Sequence, residues 1–212
     1  MTSTNLHNFL RTRRSIRRFK PDPVPDSVIN NILLTATFAP SAHNRQPWRF
    51  AVVTDLSVKT KLADAMSVEF ARDLENDKFP QDEIKKRTSR SRERILSAPA
   101  VILLNLDMSE MDVYPDAKRK QAEYLMAVQS VANAGMQLLL AAHAEGLGGV
   151  WVCSPLFAPE TIQNVLGLPN TWEPQAMFFI GYPDVIPDVS ERKSLQEIMA
   201  VEQREARTET TT

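Results

Sequence analysis

A chain of 212 residues, 43% of them hydrophobic, predicts one domain with a sizeable core, and 25 Lys and Arg against 26 Asp and Glu leave no electrostatic case for nucleic acid or an anionic membrane. A single cysteine, Cys153, excludes an internal disulfide framework, and the scattered His7, His43 and His143 lack the spacing of a zinc site. With neither an uncharged apolar stretch of membrane-spanning length nor a basic-apolar-small leader, a cytoplasmic protein is expected.

In chain order, Leu6, Phe9 and Leu10 recur at helical spacing, and the basic run Arg13 to Arg18 leads into a turn studded with Pro21, Pro23 and Pro25. Asp26 is expected to cap a second helix, in which Ile29, Ile32, Leu33 and Ala36 share a face and which must stop before Pro40. Residues 49–54 read as a strand, 57–70 and 82–96 as charged surface helices, and 100–106 as an apolar strand. Residues 118–145, nearly all small or apolar after Val128, predict a central buried helix ended by Gly146, Gly148 and Gly149. A strand at 150–153, a short helix over Pro159–Leu166 stopped by Gly167, a strand at 175–181 and a capping box of Ser194 with Glu197 complete the pattern.

Four strands and about six helices without strict βαβ alternation predict an α+β fold: a mixed, mostly antiparallel sheet flanked by helices, in one domain over residues 1–201. Residues 202–212, rich in Glu, Arg and Thr, read as a disordered tail. The glycine cluster follows a helix and precedes a strand, the wrong order for a dinucleotide fingerprint.

Four segments hold residues that could carry chemistry. In the first, Arg13, Arg14, Ser15, Arg17 and Arg18 offer planar guanidinium forks and a hydroxyl that suit a phosphomonoester, although a solvated basic turn has the same composition. The loop Pro40 to Trp48 has small or hydrogen-bonding side chains that could line a flat polar heteroaromatic, with Trp48 closing the apolar side; an ordinary helix-to-strand connection reads alike. Between Gly146 and Pro155, the glycines would let backbone approach a ligand, and Trp151 and Cys153 would point the same way if the strand runs through both. With no sequence neighbour to activate it, Cys153 reads as a buried structural thiol and not a nucleophile. Arg192 and Lys193, late in the chain, mean little alone. No Ser/His/Asp set or paired-carboxylate motif is visible, which suits chemistry carried by a cofactor.

Taken in order, Arg-Arg-Ser-Ile-Arg-Arg-Phe at 13–19, Ala-Pro-Ser-Ala-His-Asn-Arg-Gln-Pro-Trp at 39–48, Gly-Leu-Gly-Gly-Val-Trp-Val at 146–152 and Gly181-Tyr182-Pro183 resemble the nitroreductase family, over about residues 5–200. The stretch 122–184, with Trp172-Glu173-Pro174, resembles most the flavin-binding C-terminal domain of the deazaflavin-coenzyme glutamyl ligases, whose ligase half has no counterpart in these residues. The resemblance implies a homodimer with FMN at the subunit interface. It places the ribityl phosphate against Arg13, Arg14, Ser15 and Arg17, closed by Arg192 and Lys193, and brings Pro40, Ser41, Ala42, Asn44 and Gln46 from the partner subunit. Trp151, Val152, Cys153 and Ser154 would flank the reactive flavin nitrogen, the amides of Cys153 and Ser154 acting as donors, with Arg94 near the pyrimidine edge. Related sequences often carry Gly where this one has Cys153. No side chain need be catalytic. The implied activity is ping-pong transfer from NAD(P)H or a reduced deazaflavin to an electron-poor acceptor: a nitroaromatic, a quinone or an unsaturated coenzyme precursor. The alternatives are an oxygen-dependent flavin-cleaving enzyme of benzimidazole synthesis and a non-catalytic flavin- or deazaflavin-binding protein. Whether residues 73–94 cover the pocket as a lid is open at this stage.

Overall fold

In the computed structural model, which describes residues 2–200, four strands form one sheet: β1 (Trp48–Val53), β2 (Ala100–Asp107), β3 (Gly148–Val152) and β4 (Trp172–Gly181). The tail expected at 202–212 lies outside the described residues. The spatial order is β1-β2-β4-β3, with every neighbouring pair of these strands antiparallel, and a parallel bridge from Ser15 to Gly149 at the β3 edge completes the mixed, mostly antiparallel pattern expected. All eight residues of β2 are buried, which demands cover on both faces. Because side chains alternate along a strand, Ala100, Ile102, Leu104 and Leu106 join one core and Val101 and Leu103 the other.

The helices divide accordingly. On the first face lie α2 (Asp26–Ala36), which buries Ile29, Ile32 and Ala36, and α5 (Ala117–Ala144), which buries ten residues. On the second lie α3 (Leu56–Asn76), α4 (Gln81–Ser97) and α6 (Pro159–Leu166), contributing Leu62, Ala63, Met66, Ile95 and Ile162 to the other core. Two short helices flank these layers, α1 (Ser3–Thr12) and α7 (Leu195–Ile198), and neither buries a residue. By length and apolarity α5 could cross a membrane, yet here it is a core helix of a layered fold.

Several boundaries differ from those expected. Asp26 is the first helical residue of α2 and not its cap: Pro25 holds the cap position with no side-chain hydrogen bond, and Asp26 instead faces the positive end of the helix dipole. Capped by Asp55, α3 runs on to Asn76, well past the expected end at 70, because its second half pairs with α4 as a helical hairpin. The strand expected at 150–153 begins earlier, at Gly148, and ends at Val152. Gly146, in the left-handed region at φ 74°, terminates α5.

Gly148 and Gly149 admit other side chains and not a ligand. A Cβ on Gly148 would lie 2.5 Å from Ile16 Cγ1, and one on Gly149 would lie 2.7 Å from Leu139 Cδ2. The contact between Ile16 and Gly148 seats the basic run against the edge of the sheet. Gly148→Ala should therefore cost about 1–3 kcal/mol in urea unfolding, as overpacking of a filled site does; a variant as stable as the parent would refute this packing argument.

Candidate functional site

Ile16 is 4% exposed and its N–H donates to Gly149 O at 3.1 Å, with Ser15 bridging Gly149 in parallel fashion, so residues 15–16 extend the sheet beyond β3. Farther along, Lys20 N–H donates to Tyr182 O at 2.9 Å and Phe19 bridges Pro183. The run between them is pinned at both ends, and its alternating side chains are displayed along one sheet edge.

Guanidiniums distant in sequence gather there. Partial burial, then Arg14 and then Arg192, pull the Arg13 guanidinium below its ordinary pKa. Arg94 is lowered by burial first, then by Arg90 and Arg17. Like charge is thus close enough to be felt across 179 residues between Arg13 and Arg192 and 77 between Arg17 and Arg94. Among the described residues, none of Arg13, Arg14, Arg17, Arg90, Arg94 or Arg192 makes a salt bridge, whereas Arg45, Arg49, Arg72, Arg87, Arg92 and Arg119 each do. Arg14 and Arg17 donate only to nearby carbonyls, those of Arg11, Arg13 and Ser15, and Arg192 to those of Ser190 and Glu191. Lys193 is exposed on the same C-terminal segment. A set of unpaired cations around a docked backbone matches an anion such as a phosphate.

Beside this edge, α3, α4 and the ends of β3 and β4 enclose a cavity of about 760 Å³. Its apolar surface comes from Met66, Phe70, Val152, Met177 and Phe179, while Arg90 and Arg94 of α4 and Cys153 and Ser154 also line it. The volume and the apolar lining with a few polar groups suit a planar organic ligand. Sequence reasoning named Val152 but missed Met66, Phe70, Met177, Phe179 and Arg90. Their signal was present, since Met66, Phe70 and Asp73 recur at helical spacing on α3, as Arg87, Arg90 and Arg94 do on α4. Residues 73–94 are the end of α3, a turn and most of α4, and they wall this cavity.

The segment Trp151 to Ser154 divides its roles. Trp151 turns to the α5 face, edge-on to Phe178 at 4.9 Å and over Gly135, where a Cβ would stand 2.4 Å from its ring, while Val152 lines the cavity. Cys153 lies past the strand and is exposed at the cavity, so the expectation of a buried structural thiol is corrected; its Sγ accepts from Trp151 Nε1 at 3.2 Å. A partly buried β3 edge followed at once by a 3-10 turn, Ser154–Phe157, with Pro155 in its first turn, is what brings the thiol out.

The loop from Pro40 to Gln46 sits elsewhere. Ala42 N–H donates to Ser130 Oγ at 3.1 Å, Asn133 Nδ2 to Pro40 O at 3.2 Å, Gln46 N–H to Ser41 Oγ at 3.1 Å, and Gln46 Nε2 to Asn44 Oδ1 at 3.2 Å. His43, Asn44 and Gln46 all take left-handed φ values near 50°. Trp48 is 4% exposed within the core, which removes it from any ligand face and corrects its expected role there. The loop is anchored at Ser130 of α5, whereas the basic run meets α5 at His143, where Thr12 Oγ1 lies 3.0 Å from Nε2. Those anchors are about 20 Å apart along the helix at 1.5 Å per residue. Within one chain the loop and the basic run do not meet.

His143, stacked on Phe9 at 4.8 Å, is held below the ordinary histidine pKa by burial first and then by Arg13 and Arg14. The folded protein therefore favours the neutral ring, and the stability this provides is complete above about pH 6.5 and is lost as pH falls through the lowered value. Unfolding measured by denaturant between pH 7 and 5, without added anions, should show declining stability that flattens in His143→Gln; an equal slope in both proteins would refute the assignment.

With fold and site in view, the chain can be set beside known proteins. The profile of the nitroreductase family matches residues 10–182. A Bacillus subtilis protein named as an NAD(P)H nitroreductase, YfhC, is 28% identical over 192 residues, 91% of each chain. Iodotyrosine deiodinase of Drosophila melanogaster is 31% identical over 204 residues, which cover 92% of this chain and 68% of that protein. Among solved structures, a Desulfovibrio desulfuricans protein described as a nitroreductase in complex with FMN superimposes with a TM-score of 0.72 at 26% identity, covering 96% of this chain and all of that one. An antiparallel sheet between two helical layers, a cation-lined edge and a match over most of the length together make this chain a member of the nitroreductase family, an FMN-dependent oxidoreductase.

Proposed function

We propose that the guanidiniums of Arg13, Arg14, Arg17 and Arg192, with the Ser15 hydroxyl, hold the FMN phosphate, and that the cavity beside Val152, Cys153 and Ser154 receives donor and acceptor in turn. The observation that carries this reading is the convergence of Arg13 with Arg192 and of Arg17 with Arg94, all without carboxylate partners among the described residues. When bound, FMN supplies the two-electron chemistry. The chain's own contribution is placement. The docked run fixes the phosphate end, Arg94 offers positive charge to the electron-rich pyrimidine edge, and the amides of Cys153 and Ser154 present donors at the cavity. Met66, Phe70, Met177 and Phe179 exclude water from that face. A single cavity serving both half-reactions supports a ping-pong order, with NAD(P)H as donor and an electron-poor nitroaromatic or quinone as acceptor. A reduced deazaflavin is the alternative donor and an unsaturated coenzyme precursor the alternative acceptor suggested by the ligase likeness. A cytosolic setting accords with the burial of α5.

The same reading takes the protein as a homodimer in which Pro40, Ser41, Ala42, Asn44 and Gln46 of one subunit complete the site of the other. Two features support it. Loop and basic run stay apart within one chain, and Ile186, Val189, Leu195 and Ile198, on the segment that carries Arg192 and Lys193, leave apolar surface exposed among the described residues.

Two measurements test these claims. Arg13→Gln and Arg192→Gln should each weaken FMN binding about tenfold to a hundredfold, as loss of a charged hydrogen-bonding partner does, with the visible spectrum reporting occupancy; unchanged affinity in both would overturn the phosphate assignment. Mixing inactive Arg13→Gln and inactive Asn44→Ala/Gln46→Ala subunits under exchange should restore about a quarter of parental activity, because each mixed dimer regains one intact site; no recovery despite demonstrated exchange would mean that each site is built from a single chain.

A further inference from the structure

The basic residues of α4 that line the cavity or pair with an acidic side chain fall into two groups. Arg87 bonds Glu83 at 2.8 Å and covers the Phe79 ring at 4.4 Å, Arg92 bonds Asp64 at 2.6 Å, and Lys86 approaches Glu83 at 4.0 Å. Arg90 and Arg94, one turn apart on the stripe that faces the cavity, have no hydrogen bond or ion pair among the described residues. The carboxylates at the cavity other than Glu69 stand toward the turn of the hairpin: Asp73 lies one turn before Asp77, which closes α3, and Glu83 lies seven residues, about 10 Å, from Arg90 along α4. Glu69, nearer to hand, is engaged by Arg72 at 2.7 Å. Of the cations that line the cavity, Arg90 and Arg94 are therefore the ones without an acidic partner among the described residues, and they share its wall with the apolar Phe70, Met177 and Phe179.

We propose that Arg90 selects the acceptor, so that the preferred substrate is an aromatic ring bearing both the reducible group and an anionic substituent such as a carboxylate. The inference rests on the FMN reading above, in which Arg94 serves the cofactor. Arg90 lies one helical turn from Arg94, about 6 Å along α4 toward the hairpin turn, so a ring seated beside Cys153 and Ser154 presents its far substituent to that guanidinium. The apolar surface accepts the ring, and the planar fork binds a carboxylate through two parallel hydrogen bonds. For a nitroaromatic carboxylate the reaction balances as follows. NAD(P)H gives up a hydride, which carries both electrons, one proton enters from solvent, one N–O bond of the nitro group breaks, and the products are the nitroso compound, one water and the oxidised nicotinamide. The carboxylate is unchanged, so its role is confined to binding.

The test uses para-nitrobenzoate against the neutral para-nitrobenzyl alcohol, with the FMN-loaded protein and NAD(P)H. The parent should prefer the anion in kcat/KM by at least about tenfold, the scale of one charged hydrogen-bonding contact. Arg90→Gln should erase that preference through the KM of para-nitrobenzoate, Arg90→Lys should restore part of it, and Arg90→Glu should turn it toward para-nitrobenzylamine. Equal kcat/KM for the two acceptors in the parent, or an unchanged ratio in Arg90→Gln, would overturn the proposal. So would an effect confined to the rate of flavin reduction, which would assign Arg90 to a phosphate of the donor. Visible absorbance separates the two readings: a yellow, NAD(P)H-reducible protein without anion preference defeats this inference alone, and a colourless one that takes up no FMN defeats both.

Discussion

The site depends on one docking event, the seating of the basic run on the edge of β3. The bond from Ile16 N–H to Gly149 O and the pressing of Ile16 against Gly148 hold residues 13–17 in a fixed register beside the strand. Once that register is set, the cations have nowhere to disperse. Coulomb repulsion between close like charges runs at about 1 kcal/mol per pair in water and more where water is thin, and it adds to burial, the larger cause, in lowering the pKa of Arg13, Arg94 and His143. A dianion bound there, as proposed, would offset that repulsion, and ligand binding and folding would then be linked through the same charges.

The position of the cavity follows from the alternation of the sheet. Val152, Met177 and Phe179 point to the face covered by α3, α4 and α6, opposite to the face where Trp151 and Phe178 pack under α5. Lys59 fixes the inner end of the hairpin. It is 6% exposed, its Nζ donates to Ala98 O at 2.8 Å, and its pKa is depressed chiefly by burial. A buried ammonium at the C-terminal end of α4 satisfies carbonyls the helix cannot and complements the helix dipole. Arg94, four residues earlier than Ala98, is thereby held over the strand ends.

What the sequence revealed and what it concealed have separate physical causes. Helices α5 and α6 and strand β2 were legible because their burial is periodic or continuous, and Gly146 and Gly167, both left-handed, mark helix ends as such residues should. The basic run was legible as composition, but its convergence with Arg192 was not, since nothing local records that residues so far apart share a sheet edge. The misreading of Cys153 arose from extending β3 one residue too far: the backbone leaves the strand at Val152, and the thiol emerges at the cavity. Trp48 misled in the opposite way, because an aromatic at the start of an edge strand turns inward here to complete the core. The charged faces of α3 and α4 read as solvated surface because periodicity cannot say whether a polar stripe faces bulk water or a cavity.

The loop 40–47 shows why a single chain is an incomplete description. Left-handed φ at His43, Asn44 and Gln46 costs on the order of 1 kcal/mol per residue, least for Asn, and such strain persists only where the surroundings over-determine the backbone. Those surroundings are on α5, where the buried Ser130 and the exposed Asn133 grip the loop. Among the described residues, the guanidiniums proposed to bind the ligand's phosphate lie at the far end of α5 from the polar edge thus displayed. Strain that a monomer bears without return becomes intelligible in the proposed dimer, where the rigid loop of one subunit meets the cation-lined strand edge of the other.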